Sequence, residues 1–196
     1  MSDELAARGE RDRSDVVAIH RIAAGECDAV AELYDRYGKT ALGLALKILR
    51  DSAEAEDVVH DAFVAIVQRA DQFHPERGTV AAWLVTTVRN LALDRARRRT
   101  RRAKIIDADL RHEIRESPPG PEDQLVGVED RSRVLEAMAS LPDAQRETLE
   151  IAFFEGLSYP EIAERENVPL GTVKSRAARA LSALRDALGG TPQAPR

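Results

Sequence analysis

A chain of 196 residues, 43% hydrophobic and 32% charged, reads as a soluble globular protein rich in exposed helix, with room for one large domain or two small ones. The single cysteine, Cys27, excludes an internal disulfide, and no CxxC or HxxC cluster accompanies His20, His60, His74 and His112, so neither a disulfide framework nor a structural metal site is expected. The net charge of −5 excludes less, because local charge decides what binds where and here it is unevenly spread. Arg95, Arg97, Arg98, Arg99, Arg101, Arg102 and Lys104 crowd one stretch; Asp107, Asp109, Glu113, Glu116, Glu122, Asp123, Glu129 and Asp130 follow it.

The opening MSDELAARGERDRSD lacks the apolar core of a signal peptide, and no later stretch approaches the ~20 apolar residues of a membrane span. A cytoplasmic protein, neither exported nor inserted in a membrane, is expected. From Asp28, a candidate N-cap, the spacing of Val30, Leu33, Tyr34, Tyr37, Ala41, Leu44, Ala45 and Ile48 predicts one helix face. Asp51 or Ser52 caps a second helix that places Val59, Ala62, Phe63, Ile66 and Val67 inward behind an acidic first turn of Glu54, Glu56 and Asp57. His60 and Asp61 sit just off that apolar face, and a surface contact suits them better than metal ligation. Pro75 and Gly78 break the pattern, and a third helix starts near Thr79 or Val80 and runs through Trp83, Leu84, Val88, Leu91 and Leu93 into the arginine tract.

Residues 104–130 contain SPPGPED and many acids but little periodic apolar pattern, which predicts a linker. Beyond it, Val134, Leu135, Met138 and Leu141 predict a short helix. Pro142 and Asp143 open another, with Leu149, Ala152 and Phe153 inward and Gly156 as its stop. Ser158 and Glu161 form a capping box with Pro160 in the first turn, Ile162 and Ala163 face inward, and Asn167 to Gly171 supply a turn. A longer helix is expected from Thr172, with Val173, Ala177, Ala180, Leu181 and Leu184 on its inner side. GGTPQAPR reads as a loose tail.

A short helix, a tight turn and a longer helix make a helix-turn-helix, whose second helix can enter a DNA major groove. Lys174, Ser175, Ala178 and Arg179 point outward there, with Arg176 beside them; Lys and Arg suit guanine acceptors and phosphates, and Ser serves as donor or acceptor. An ordinary helical hairpin with solvated basic residues is the plainer alternative. In the first half, Thr86, Thr87, Arg89 and Asn90 precede Arg95, Arg98 and Arg99, a set that can hold unstacked bases while arginines bind the backbone. Trp83 at helical spacing reads as core rather than as a stacking platform. No Walker-type glycine loop, nucleophile elbow or paired metal-ligand motif is present, so no enzyme and no cofactor is predicted.

GECDAVAELYDRY, EAEDVVHDAFVAIV, RGTVAAWLVTTVRNLALDRARRR and LPDAQRETLEIAFFEGLSYPEIAERENVPLGTVKSRAARAL occur in one order around an acidic linker. In that order they resemble the extracytoplasmic-function (ECF) sigma factors of the sigma-70 class, from about Asp15 to Leu188. The resemblance implies an all-α fold of two small helical domains joined by a flexible linker: a first domain at 15–103, the linker at 104–130, and a second domain at 131–189 with the helix-turn-helix. It implies RNA polymerase core as partner, with Asp57, His60 and Asp61 on the β′ clamp helices and a further contact to the β flap. It also implies −10 promoter recognition by Asn90, Arg89, Arg95, Arg98 and Arg99, and −35 recognition by Lys174, Ser175, Arg176, Ala178 and Arg179. An anti-sigma partner belongs to the same expectation. His60 stands where the family usually has Gln, and Val67 where an aromatic is usual. A response regulator or repressor would need a receiver or ligand domain of alternating strands and helices, which the first half lacks. A helical adaptor without DNA contact leaves both basic surfaces unexplained.

Overall fold

The computed structural model describes residues 2–26, 28–107 and 128–188; Cys27, most of the predicted linker and the tail from 189 lie outside them. The chain divides into two compact units, Met1–Gln124 and Leu125–Arg196. All regular structure among the described residues is helical.

In the first unit α2 (Asp28–Leu49), α3 (Ser52–Gln68) and α4 (Val80–Asp107) pack on one another, and α1 (Ser2–Ala23) lies across α2 and α4. Leu33, Tyr37, Ala41, Ala45 and Leu49 recur at four-residue spacing along α2 and meet Val58, Ala62 and Ile66 of α3 and Val80, Leu84, Val88 and Ala92 of α4. Ala41, Ala45, Ala55, Ala62 and Ala92 are buried small residues that let the helices approach closely around the larger side chains. Asp51 caps α3 by accepting the Glu54 N–H at 2.9 Å, as its sequence position predicts. Thr79 does the same for α4, accepting the Ala82 N–H at 3.1 Å.

The sequence reading predicted no helix ahead of Asp28, yet α1 occupies most of that stretch. Its last turns bury Ala18, Ile19 and Ile22, and fully buried Asp15 accepts hydrogen bonds from the Tyr37 hydroxyl and the Arg36 guanidinium of α2. Arg21 ties the end of α1 to Glu26 at 2.8 Å and to Glu32 of α2 at 2.6 Å, and those hydrogen bonds hold its guanidinium above the ordinary arginine value. The apolar spacing in this stretch covers only two turns, and the charged residues before it mask the period. Two predicted inward residues are corrected: Val67 is 42% exposed and Tyr34 52% exposed. The Tyr34 ring lies on Phe63, with centroids 5.0 Å apart, and so covers the outer edge of the core instead of entering it.

The second unit contains α5 (Val128–Ala139), α6 (Asp143–Glu150), a π turn (Ile151–Glu155), α7 (Tyr159–Arg165) and α8 (Leu170–Ala187). Its core is small, formed by Ile151, Ile162, Ala163 and Val173 with half-buried Ala152, Leu157, Tyr159 and Val168 around them. Four expectations are corrected here. Val134 and Leu135 of α5 are exposed, and Ala137 with Leu141 makes the inward face. Phe153 is 39% exposed, because the wider π turn brings Ile151 inward and rotates Phe153 away. Leu181 is exposed while Val173, Ala177 and Ala180 are buried. Finally, α8 starts at Leu170 rather than Thr172, since the Pro169 carbonyl accepts the N–H groups of Thr172 and Val173 at 2.8 and 3.3 Å.

Candidate nucleic-acid interface

In the first unit two short 3₁₀ turns, Ala70–Gln72 and Pro75–Arg77, return the chain to the start of α4. Gly78, at φ 140, makes the reversal that an L side chain would resist. The result is a shallow pocket lined by Phe73, His74, Arg77, Gly78, Trp83 and Thr86, among others. Half-buried Trp83 leans on Phe73, with ring centroids 5.5 Å apart, and packs against the core. The Thr86 and Thr87 hydroxyls donate to the Ala82 and Trp83 carbonyls at 2.7 and 2.9 Å, which leaves their oxygens as acceptors. Asn90 is exposed one turn beyond Thr86 and does not line the pocket; its side-chain oxygen accepts from Arg89 at 3.4 Å. Burial, and then the charge of Arg97, lowers the Arg89 guanidinium below its ordinary value.

The arginines that follow are not a uniform comb. Arg95 reaches α3, pairing with Asp57 at 2.7 Å and standing 4.0 Å from Asp61. Arg99 donates to the Leu49 carbonyl at the end of α2 at 3.2 Å and lies 3.9 Å from Glu54. Arg97 faces Asp94 on its own helix at 3.8 Å, whereas Arg98 is exposed along the α3–α4 groove. His60 is exposed on α3, and among the described residues no group of three or more His, Cys, Asp or Glu could hold a metal.

In the second unit α7 and α8 meet through a turn in which Asn167 adopts φ 53, a left-handed conformation that Asn tolerates. Glu161 closes the predicted capping box, accepting from the Ser158 N–H at 2.7 Å and from its hydroxyl at 2.6 Å. Arg165 pairs with Glu155 of the π turn, and the hydrogen bond raises its guanidinium above the ordinary value. Of the predicted contact residues, Lys174, Ala178 and Arg179 are exposed. Ser175 is half-buried, its hydroxyl donating to the Thr172 carbonyl at 2.9 Å. Arg176 differs from its neighbours: half-buried, it pairs with Glu166 at 3.1 Å and fastens α8 to the end of α7. Sequence reasoning missed this clamp, because Glu166 and Arg176 become neighbours only after the turn folds. It also missed Leu170, 37% exposed at the first position of α8.

No helix among the described residues is long and apolar enough to cross a membrane. The family model for sigma-70 region 2 matches residues 33–102, and that for sigma-70 region 4 matches residues 131–184. The chain is 32% identical to the ECF RNA polymerase sigma factor SigK of Mycobacterium sp. (strain KMS), over 88% of this chain and 90% of that protein. It is 31% identical to SigK of Mycobacterium ulcerans (strain Agy99), over 87% and 91% of the two chains. Among solved structures it is similar to Rhodobacter sphaeroides SigE in complex with the anti-sigma ChrR, at 30% identity and a TM-score of 0.45, covering 89% of this chain and 98% of that one. For the sigma factor RpoE of Bartonella quintana in complex with the anti-sigma factor NepR, the identity is 25%, the TM-score 0.36 and the coverage 77% and 91%. With both regions matched in order and the SigK likeness spanning most of each chain, the protein belongs to the ECF RNA polymerase sigma factors of the sigma-70 family, a family of transcription-initiation subunits and not of catalytic enzymes.

Proposed function

We propose that the chain divides its work between its two units, at boundaries of 15–103 and 131–189 with the linker 104–130 between them, the end of α4 and the start of α5 running a few residues into that linker. The α3 surface bearing Asp57, His60 and Asp61 docks on the β′ clamp helices of core polymerase, and the second unit contacts the β flap. The pocket ahead of α4 and the exposed Asn90 receive unstacked bases of the −10 element, while Arg89, Arg98 and Arg99 lie along the phosphates. Lys174, Ser175, Ala178 and Arg179 on α8 read the −35 element in the major groove, and Arg176 holds that helix in place.

The observation that carries this reading is that each unit presents basic and hydrogen-bonding side chains on the exposed face of one helix, α4 in one and α8 in the other. Capture of extruded bases offsets the cost of opening the duplex, and nucleotidyl transfer is left to the polymerase, so this chain works in the cytoplasm without catalysis of its own. An anti-sigma factor that covers the docking surfaces holds it inactive until a signal arrives.

Reconstitution tests the proposal. Core polymerase with this chain should start transcripts at defined promoters selected from genomic DNA, protecting both the −10 and −35 elements in a footprint. A chain that binds those promoters equally well without polymerase, and does not compete with a reference sigma factor for core, would be an ordinary helix-turn-helix regulator.

A further inference from the structure

The basic tract of α4 carries Arg95 in line with the arginines that suit a DNA backbone, yet its contacts lead elsewhere. Asp57 and Asp61 lie four residues apart on α3, so their carboxylates share one face and repel each other. Arg95 stands between them across the groove, at 2.7 Å from Asp57 and 4.0 Å from Asp61. The groove floor is Val58 and Leu91, and Glu54, Asp94, Arg98 and Arg99 complete its walls. One turn along, Arg99 stands 3.9 Å from Glu54, so the two helices set acid against base in antiparallel register. Asp57 and Asp61 remain 64% and 62% exposed, whereas Arg95 is 35% exposed. The guanidinium therefore engages the groove side of the acids and leaves their outer oxygens open to a partner.

We propose that Arg95 is a positioning residue of the polymerase-docking face and not a DNA contact: it offsets the repulsion between Asp57 and Asp61 and orients both carboxylates toward the polymerase. The inference rests on the reading that these acids dock on core. An arginine suits the position because its planar fork can serve two carboxylates at once, which a lysine ammonium does less well.

The test is a double-mutant cycle on core affinity, read by competition against a labelled reference sigma factor, with full-length Arg95→Gln, Arg95→Lys, Asp57→Asn, Asp61→Asn and Arg95→Gln combined with Asp57→Asn. Arg95→Gln should weaken core binding roughly two- to fivefold, the range open to a partly exposed ion pair. Arg95→Lys should restore part of the loss, and the effect of Arg95→Gln should shrink in the Asp57→Asn background. The salt slope of holoenzyme binding to promoter DNA should stay at the wild-type value in Arg95→Gln. Wild-type core affinity in Arg95→Gln, while Asp57→Asn and Asp61→Asn bind weakly, would overturn the inference and leave the docking reading intact; so would a salt slope reduced by roughly 0.7 to 0.9, the mark of a lost phosphate contact. Unchanged core affinity in both Asp variants would remove the docking reading itself, and this inference with it.

Discussion

Asp15 is fully buried, and its carboxylate accepts from the Tyr37 hydroxyl and the Arg36 guanidinium. A buried acid is tolerated because a guanidinium and a hydroxyl of α2 both donate to it, pairing its charge and satisfying its oxygens. Asp15→Ala removes the carboxylate that accepts from both the Tyr37 hydroxyl and the Arg36 guanidinium, so the first unit should lose about 1–3 kcal/mol, seen as a lower urea midpoint with an unchanged slope. Asp15→Asn keeps an acceptor oxygen and should lose less. Asn90 is the opposite kind of residue, exposed and joined to the Arg89 guanidinium by a long contact of 3.4 Å. Asn90→Ala should therefore leave stability unchanged and impair promoter opening by on the order of 1–3 kcal/mol, read as weaker permanganate reactivity of the melted strand with closed-complex binding preserved. An amide beside an arginine tract marks Asn90 in the sequence as a candidate base contact, and the structure leaves it exposed. The Arg176 clamp was not legible in the sequence, because its partner Glu166 lies across a turn.

At the scale of elements, helix starts marked by a capping side chain were read more accurately than inward faces. Asp51, Thr79 and the Ser158–Glu161 box are local signals, decided within one turn of chain, and each does what its position predicts. Faces depend on what packs against them. A single π turn after α6 undoes the expected burial of Phe153, and α8 buries Val173, Ala177 and Ala180 while leaving Leu181 in solvent. The helix-turn-helix rests on a small core whose largest fully buried side chain is Ile162. Ile162→Ala should cost about 2–5 kcal/mol, the range for emptying a buried aliphatic site. Loss of −35 footprinting, with competition for core through the first unit retained, is the expected outcome; differential scanning calorimetry should show the lower-melting transition of the second unit.

Across the whole molecule a net charge of −5 hides a separation of opposite charges onto different helices. Basic residues gather on α4 and the outer face of α8, and acids on α3. Phosphate contacts position a protein and base contacts specify, so the two basic groups should respond differently to neutralisation. Arg98→Gln should weaken holoenzyme binding to every promoter about equally and reduce the log–log salt slope by roughly 0.7 to 0.9. Lys174→Ala or Arg179→Ala should instead cost about 1–3 kcal/mol at one base pair, measured on a panel of single-base −35 variants. A uniform loss across that panel for both would make α8 a backbone clamp and leave promoter choice to the first unit.

Helix content, the capping residues, the helix-turn-helix and the separation of basic from acidic stretches were determined by the sequence itself, since each arises from neighbours within a few residues: a side-chain oxygen near free N–H groups, or apolar residues at three-and-four spacing. The short apolar run of α1, from Ala18 to Ile22, is too brief for its period to stand out, and its place in the core shows only in the folded unit, where Asp15 meets Arg36 and Tyr37 of α2. Arg95 carries the same lesson, because nothing within its own helix separates it from Arg98; the distinction is its distance to Asp57, 38 residues earlier in the chain. Tertiary structure alone decided that, because a pair formed across two packed helices depends on helix register, which no local stretch of sequence encodes.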